Sequence, residues 1–255
     1  TDGGATWNFT QKLLAPDGAA LDRFGSSVAI SEKNVFVGAP SDDDRAAGSG
    51  SVYVYTDGGA TWNFGVKLLS PDTPSGNENF GNSVATFGNI LVVGETFGDG
   101  LGINSGTAFV FNTTDGGATF DFVQELVAPD GSSNDVFGTS VAIHENYVVV
   151  GAPGDDDNGG SSGSAYVFNT MDGGATWGFV EKLLPPDGAA FDRFGTSVAI
   201  YGNDIVVGAS GDDDGGSFSG SAYVYSSTNG GATWPFVVKL GAPDADAFDS
   251  FRNAV

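Results

Sequence analysis

The sequence predicts an all-β fold assembled from four-stranded antiparallel units that repeat about every 57 residues, and three recurrent landmarks predict it. A Phe-Gly pair stands at Phe24-Gly25, Phe80-Gly81, Phe137-Gly138 and Phe194-Gly195, with Phe251 fifth in line, in steps of 56, 57, 57 and 57. Fourteen residues after each complete copy comes Gly-Ala-Pro or a variant of it: Gly38-Ala39-Pro40, Gly94-Glu95-Thr96, Gly151-Ala152-Pro153 and Gly208-Ala209-Ser210. Asp-Gly-Gly-Ala-Thr-Trp is the third landmark, beginning at Asp2, Asp57, Asp115 (with Phe120 for Trp), Asp172 and, as Asn, Asn229.

Within a copy, period-two alternation and β-branched or aromatic enrichment mark four strands, A to D. In the fourth copy they cover residues 194–200, 204–208, 221–225 and 233–240. Strand A alternates Phe194, Val198 and Ile200 with Gly195, Ser197 and Ala199, as suits an innermost strand crowded near an axis. No stretch has the i, i+3, i+4 spacing of a helix. Four such strands joined by tight turns make one blade of a β-propeller. The repeats run approximately over 15–69, 70–127, 128–184 and 185–240, with partial repeats at 1–14 and 241–255. Residues 6–14 read as a D strand, and Phe251 opens a fifth A strand whose B and C are missing. Residues 1–255 are therefore expected to be a single propeller or, in preference, a segment of a larger one whose ends pair with further repeats or another chain.

The Phe-Gly and Gly-Ala-Pro landmarks together resemble the FG-GAP repeat of integrin α-chain propellers, over nearly the whole chain. The Asp-Gly-Gly-Ala-Thr-Trp element looks like the Asp-box of sialidases, seen most fully as Ser227, Asn229, Gly231, Thr233 and Trp234. It falls between strands C and D, where Asp or Asn can bond nearby backbone N–H groups, glycine supplies positive φ and Trp anchors the turn by burial. Its expected role is structural.

Composition excludes several functions. The chain has 255 residues, ample for a core, and 41 glycines, roughly twice average usage. Nine Lys and Arg against 32 Asp and Glu give a net charge of −23, which excludes non-specific nucleic-acid binding and favours cations. There is no Cys, hence no disulfide, thiolate metal site or thiol nucleophile. Apolar runs such as 147–150 are far below the ~20 residues of a membrane helix, so no membrane insertion is expected.

The acidic residues cluster. After Gly-Ala-Pro, the B–C loop carries Asp42, Asp43 and Asp44, then Asp155, Asp156 and Asp157, then Asp212, Asp213 and Asp214, and the second copy is reduced to Asp99. The D–A connection adds Asp17 and Asp22, Asp130 and Asp135, Asp187 and Asp192, and Asp244 and Asp249. In an up-and-down blade these two connections emerge on one face. Adjacent carboxylates repel unless a cation intervenes, and Ca²⁺, which takes six to eight oxygens in flexible geometry, suits them best. The alternative is that the aspartates form Asx-turns and their charge is merely solvated. Calcium is the expected cofactor, with the second copy the weakest site. The integrin-type loop Asp-x-Asp-x-Asp-Gly belongs between strands A and B. Here those connections are residues 31–34, 87–89, 144–146 and 201–203, without that pattern.

Catalysis is not expected. His144, the sole histidine, lies in an A–B turn where the other copies have Ser31, Phe87 or Tyr201. Arg23, Arg193 and Arg252 adjoin the Phe landmarks, where they can pair with aspartates; with Arg45 they are the only arginines. No Gly-Lys pair offers a P-loop. Sequons at Asn8 and Asn112 suit glycosylation of a secreted protein. The resemblance implies an extracellular binding or structural module in cell-surface adhesion, matrix or appendage assembly. Its partner would be a protein or glycan, further repeats, or another copy. A glycan-binding lectin-like propeller and a sialidase-like glycoside hydrolase are the alternatives.

Overall fold

The computed structural model describes residues 6, 8–31, 33–73, 76–244 and 246–247. It contains four sheets of four antiparallel strands, each sheet formed by consecutive strands in chain order. The first blade comprises β1 (Ser27–Ile30), β2 (Asn34–Ala39), β3 (Ser51–Asp57) and β4 (Trp62–Leu68). The second comprises β5 (Phe80–Phe87), β6 (Ile90–Glu95), β7 (Thr107–Asn112) and β8 (Asp121–Leu126). In the third are β9 (Ser140–His144), β10 (Tyr147–Ala152), β11 (Ser164–Asn169) and β12 (Gly178–Leu183). The fourth is built of β13 (Phe194–Tyr201), β14 (Asp204–Ala209), β15 (Ser221–Ser226) and β16 (Phe236–Leu240). No helix occurs among the described residues.

The two central strands of a blade are sandwiched between sheets on both faces, so they read as continuous apolar runs rather than alternating ones. Val148, Val149 and Val150 of β10 and Ala165, Tyr166 and Val167 of β11 are all fully buried. The outer strand is wetter: β12 is buried only at Leu183. Three core clusters fill the spaces between consecutive blades. Phe36, Val54 and Phe80 lie between the first and second; Val110, Val141 and Phe168 between the second and third; Val167, Val198 and Tyr225 between the third and fourth.

The Phe-Gly and Gly-Ala-Pro landmarks meet at these junctions. A Cβ on Gly151 would lie 2.0 Å from the carbonyl oxygen of Gly195 and 2.4 Å from Ser140 Oγ, and Gly38 and Gly94 are as tightly faced by Gly81 and Gly138. The Phe-Gly glycine takes φ of +91° at Gly195, which turns its carbonyl toward the preceding blade. Serine hydroxyls then donate to these carbonyls across each junction: Ser27 to Gly81 at 2.7 Å, Ser83 to Gly138 at 2.8 Å and Ser140 to Gly195 at 2.9 Å. Single parallel bridges join Gly50 to Phe80, Gly106 to Phe137 and Gly163 to Phe194.

Two expectations need correction. The last outer strand begins at Phe236 rather than at 233, because Thr233 and Trp234 belong to the hairpin loop. Residues 8–15 form no strand, since β3 already has its partner in β4 and no unpaired C strand lies beside them among the described residues. They lie along the first blade instead, with Gln11 bonded through its side chain to the N–H and carbonyl of Trp62, and with Leu13 and Ala15 packed against Val37, Tyr53 and Tyr55. Phe251 and Asp249 fall outside the described residues.

If the glycine contact sets the blade spacing, Gly151→Ala should cost about 3 kcal/mol, the upper range for overpacking. Gly202→Ala, at φ +58° with nothing within 4 Å of a Cβ, should cost only the left-handed backbone penalty of about 1–2 kcal/mol. Urea unfolding of the two variants beside the parent measures the difference, and equal losses would show that the contact is not the constraint.

Candidate functional site

The B–C and D–A connections do emerge on one face, where the structure assembles the aspartates around a lysine. In the third blade, β12 brings the Lys182 ammonium 2.8 Å from Asp130, 2.8 Å from Asp155 and 2.7 Å from Asp157. The Tyr166 hydroxyl lies 2.8 Å from Asp130 and 2.9 Å from Asp155, and its ring sits 5.2 Å beneath the ammonium. The fourth blade repeats this with Lys239 at 2.8 Å from Asp187, 2.7 Å from Asp212 and 2.6 Å from Asp214, beside Tyr223. In the first blade Lys67 stands 2.9, 2.8 and 2.5 Å from Asp17, Asp42 and Asp44, beside Tyr53. In these three blades a lysine ammonium therefore stands at the centre of the aspartate cluster.

Burial penalises each ammonium, but the surrounding carboxylates outweigh it and hold the pKa of Lys67, Lys182 and Lys239 above the ordinary value. Asp42 and Asp212, buried but bonded to lysine and tyrosine, are held below the usual carboxylate range, as is Asp130. At Asp17 the lysine hydrogen bond is the largest cause of a lowered pKa. Desolvation pushes the three tyrosines up, so they remain protonated donors.

The other candidate aspartates shape their own loops. Asp22, Asp135 and Asp192 accept hydrogen bonds from the backbone N–H groups of Ala19, Ser132 and Ala189. Burial pushes the Asp135 carboxyl up to about 6, against the pull of the Ser132 N–H. Asp43, Asp99 and Asp213 accept from Gly48, Asn104 and Phe218 five residues on. Asp156 is exposed.

The Asp-Gly-Gly-Ala-Thr-Trp elements form C–D hairpins in all four blades, with a shared side-chain bonding pattern in blades two to four. Asp172 accepts from Thr170 Oγ1 and from both the N–H and the hydroxyl of Thr176, and those bonds hold its pKa well below the ordinary value. Asp115 repeats the arrangement; Asn229 Oδ1 likewise accepts from Ser227 Oγ and the Thr233 N–H, while its Nδ2 donates to Thr233 Oγ1. Asp57 does not: Tyr55 stands where the others have Thr or Ser two residues earlier, β3 runs through Asp57 itself, and its carboxylate bonds only the Gly59 N–H among the described bonds. Each hairpin also clips onto the preceding blade, as where the Tyr147 hydroxyl donates to Gly230 and Glu181 accepts from the Trp234 N–H.

The FG-GAP repeat family model matches residues 7–55, 62–111, 120–168 and 177–225. The chain belongs to the FG-GAP repeat family. No curated protein matches it. Among solved structures it is similar to the Saccharomyces cerevisiae Sqt1, at 12% identity and a TM-score of 0.50, covering 86% of this chain and 49% of that one. At that identity the likeness concerns the fold alone, and the chain spans about half the length of that structure.

Within this FG-GAP array the A–B connections are too short for the integrin-type loop. They are two-residue turns at Gly88-Asn89, Glu145-Asn146 and Gly202-Asn203. His144 sits at such a turn between Phe87 and Tyr201, with ring centroids 5.1 and 4.8 Å away, and accepts from the Gly202 N–H. The expected arginine–aspartate pairing is replaced by lysine: Arg45 donates to the backbone carbonyls of Ser70 and Asp72, and no described ion pair involves Arg23 or Arg193. Arg252 lies outside the described residues.

The lysines are the members of these clusters that motif reading missed. Their signal was present, since Lys-Leu recurs at Lys67-Leu68, Lys182-Leu183 and Lys239-Leu240, in the copies that keep the aspartate triplet and the tyrosine. The second copy loses all of these together.

Removing one ammonium leaves three carboxylates facing each other. Lys182→Met should cost about 2–3 kcal/mol in urea unfolding at neutral pH, below the full cost for a buried pair because Asp130 and Asp157 are half exposed. The lowered pKa of Asp130 means that its contribution is present above the ordinary value of 3.8 and lost as pH falls below it. The parent–variant difference should therefore hold at neutral pH and shrink as pH falls below about 4; a difference independent of pH would assign the loss to packing.

Proposed function

We propose that this FG-GAP protein is a non-catalytic extracellular module that binds and builds by docking further blades against the two ends of its array. The observation that carries this reading is the pair of incomplete junctions. Val28 and Ile30 on the first inner strand are 67% and 66% exposed, whereas Val141, Ile143, Val198 and Ile200, at the same positions in the third and fourth blades, are buried. Residues 8–15 cover only the outer part of that face, where Leu13 and Ala15 stand as Leu126 and Ala128 do in the next complete junction but one. At the other end Val206 and Val224 are only half buried, and Val238 is exposed. Their counterparts Val149 and Val167 are fully buried. The two faces are opposite halves of the interface seen at three internal junctions, so a further blade of the same kind, in the same chain or a second copy, is the partner each fits.

An extracellular location accords with this reading, with the exposed Asn8 as the more accessible glycan acceptor and Asn112 half buried at the end of β7.

A second reading rests on the opposite face. The Phe87, His144 and Tyr201 rings form a row along consecutive A–B turns, beside a shallow groove lined by Asn89, Asn112, Glu145 and Asn146. Aromatic rings with flanking amides suit the apolar and hydroxyl faces of a sugar. Loss of glycan binding in Tyr201→Ala on an oligosaccharide panel would support this reading, and no binding by the parent would remove it.

The docking reading is checked by sedimentation velocity across a concentration series. The 255-residue chain should self-associate, and Val28→Asp with Ile30→Asp should return it to monomer without lowering its unfolding midpoint, since both side chains are exposed in the monomer. A parent that stays monomeric throughout the series would overturn it.

A further inference from the structure

We propose that the second blade holds a divalent-cation site formed by Asp72, Glu78 and Glu95, at the place where the other three blades carry a lysine. Carboxylate oxygens of these three residues lie within 4.8 Å of one another. Glu95 is fully buried, with Oε2 accepting from Thr107 Oγ1 at 3.2 Å and Oε1 without any hydrogen-bond partner. A buried carboxylate oxygen left unpaired beside two more carboxylates is among the costliest arrangements a protein interior can hold. Thr96 Oγ1, on the next residue, is also buried without a partner.

The internal repeat supplies the comparison. Glu95 replaces Ala39, Ala152 and Ala209; Gly98 replaces Asp42, Asp155 and Asp212; Phe109 replaces Tyr53, Tyr166 and Tyr223; and Glu125 replaces Lys67, Lys182 and Lys239. A Cβ on Gly98 would meet Thr107 Oγ1 at 2.8 Å and Glu95 Oε2 at 3.0 Å, so the Glu95 carboxylate fills the space beside the missing aspartate. Thr107 bonds it as Ser51 bonds Asp42 and Ser221 bonds Asp212. The negative groups are thus retained by a different route while the ammonium is replaced by a fourth carboxylate. Among the described ion pairs none involves Asp72 or Glu95, and Arg45 reaches only the backbone carbonyl of Asp72, at 2.7 Å. Asp72 accepts from Ser70 Oγ at 2.6 Å.

Burial and then the Asp72 charge push the Glu95 carboxyl up to about 8, with Glu78 adding to it. Three carboxylates with no nitrogen or sulfur donor select a hard cation, and the remaining positions are open to water, which suits Ca²⁺. This assignment reverses the expectation that the second repeat is the weakest site. It does not depend on what docks at the ends of the array.

Calorimetric titration of the chelator-stripped chain with CaCl₂ in NaCl tests it. One ion should bind per chain, and the unfolding temperature should rise with calcium but not with NaCl of equal ionic strength. Glu95→Ala installs the residue of the other three blades, so its fold is compatible with the position. It should melt above the parent in chelator, having lost a buried carboxyl group with an unpaired oxygen, and its calcium response should be absent; Glu95→Gln should likewise lose the response. Absence of calcium binding by the parent, binding that survives in Glu95→Ala and Glu95→Gln, or binding that is abolished by Asp156→Asn would each overturn the assignment.

Discussion

Each blade is held to the next by a contact in which a glycine of one strand lies against the carbonyl of a glycine in the following blade. At the third junction the missing side chain of Gly151 leaves room for the Gly195 carbonyl, and Ser140 donates to the same oxygen. Any Cβ at Gly151 would push the sheets apart, and the dispersion and burial of Val149, Val167 and Tyr225 in the intervening cluster would weaken with the gap. The two recurrent motifs are therefore the two halves of one interaction. The hairpin clips from Tyr147 and Glu181 to the following blade reinforce it at the outer edge of the sheets.

A net charge of −23 would be expected to disperse over the surface, yet the aspartates converge. Antiparallel up-and-down order places the B–C and D–A connections at the same end of every blade, so acidic residues in both loops meet. The lysine of the outer strand enters this end from below, its stem shielded and its ammonium over a tyrosine ring. In that setting one positive charge satisfies three carboxylates, and the tyrosine hydroxyl satisfies part of their remaining acceptor capacity. The face is thereby a structural element in three blades, and the second blade, where lysine and tyrosine are both gone, stands apart electrostatically.

Much of the fold was legible because its signals are local. Alternation in residues such as Phe194, Val198 and Ile200 reports a strand, and the constant phase of Phe-Gly and Gly-Ala-Pro reports equal units. The hairpin at Asp172 was legible too, since an aspartate bonding backbone four residues on is a short-range event. That the aspartates of both loops gather at one end of the blade was legible, but not that a lysine of the outer strand stands among them. Lys182 is 27 residues from Asp155 and 52 from Asp130, and no local pattern couples them. Only comparison of the copies does so, through residues that are kept or lost together.

By itself the sequence determined the strand order, the unit length and the glycines at which backbones approach, because these depend on side-chain period and on steric limits that act within a few residues. Tertiary structure alone decided which charges meet. The partners of Lys67, Lys182 and Lys239, the seat of Glu95 beside Asp72 and Glu78, and the exposure of Val28 and Ile30 all follow from how one blade lies on itself and on the next. Electrostatic and hydrophobic free energies depend on distance and burial in space, and neither is set until the sheets have packed.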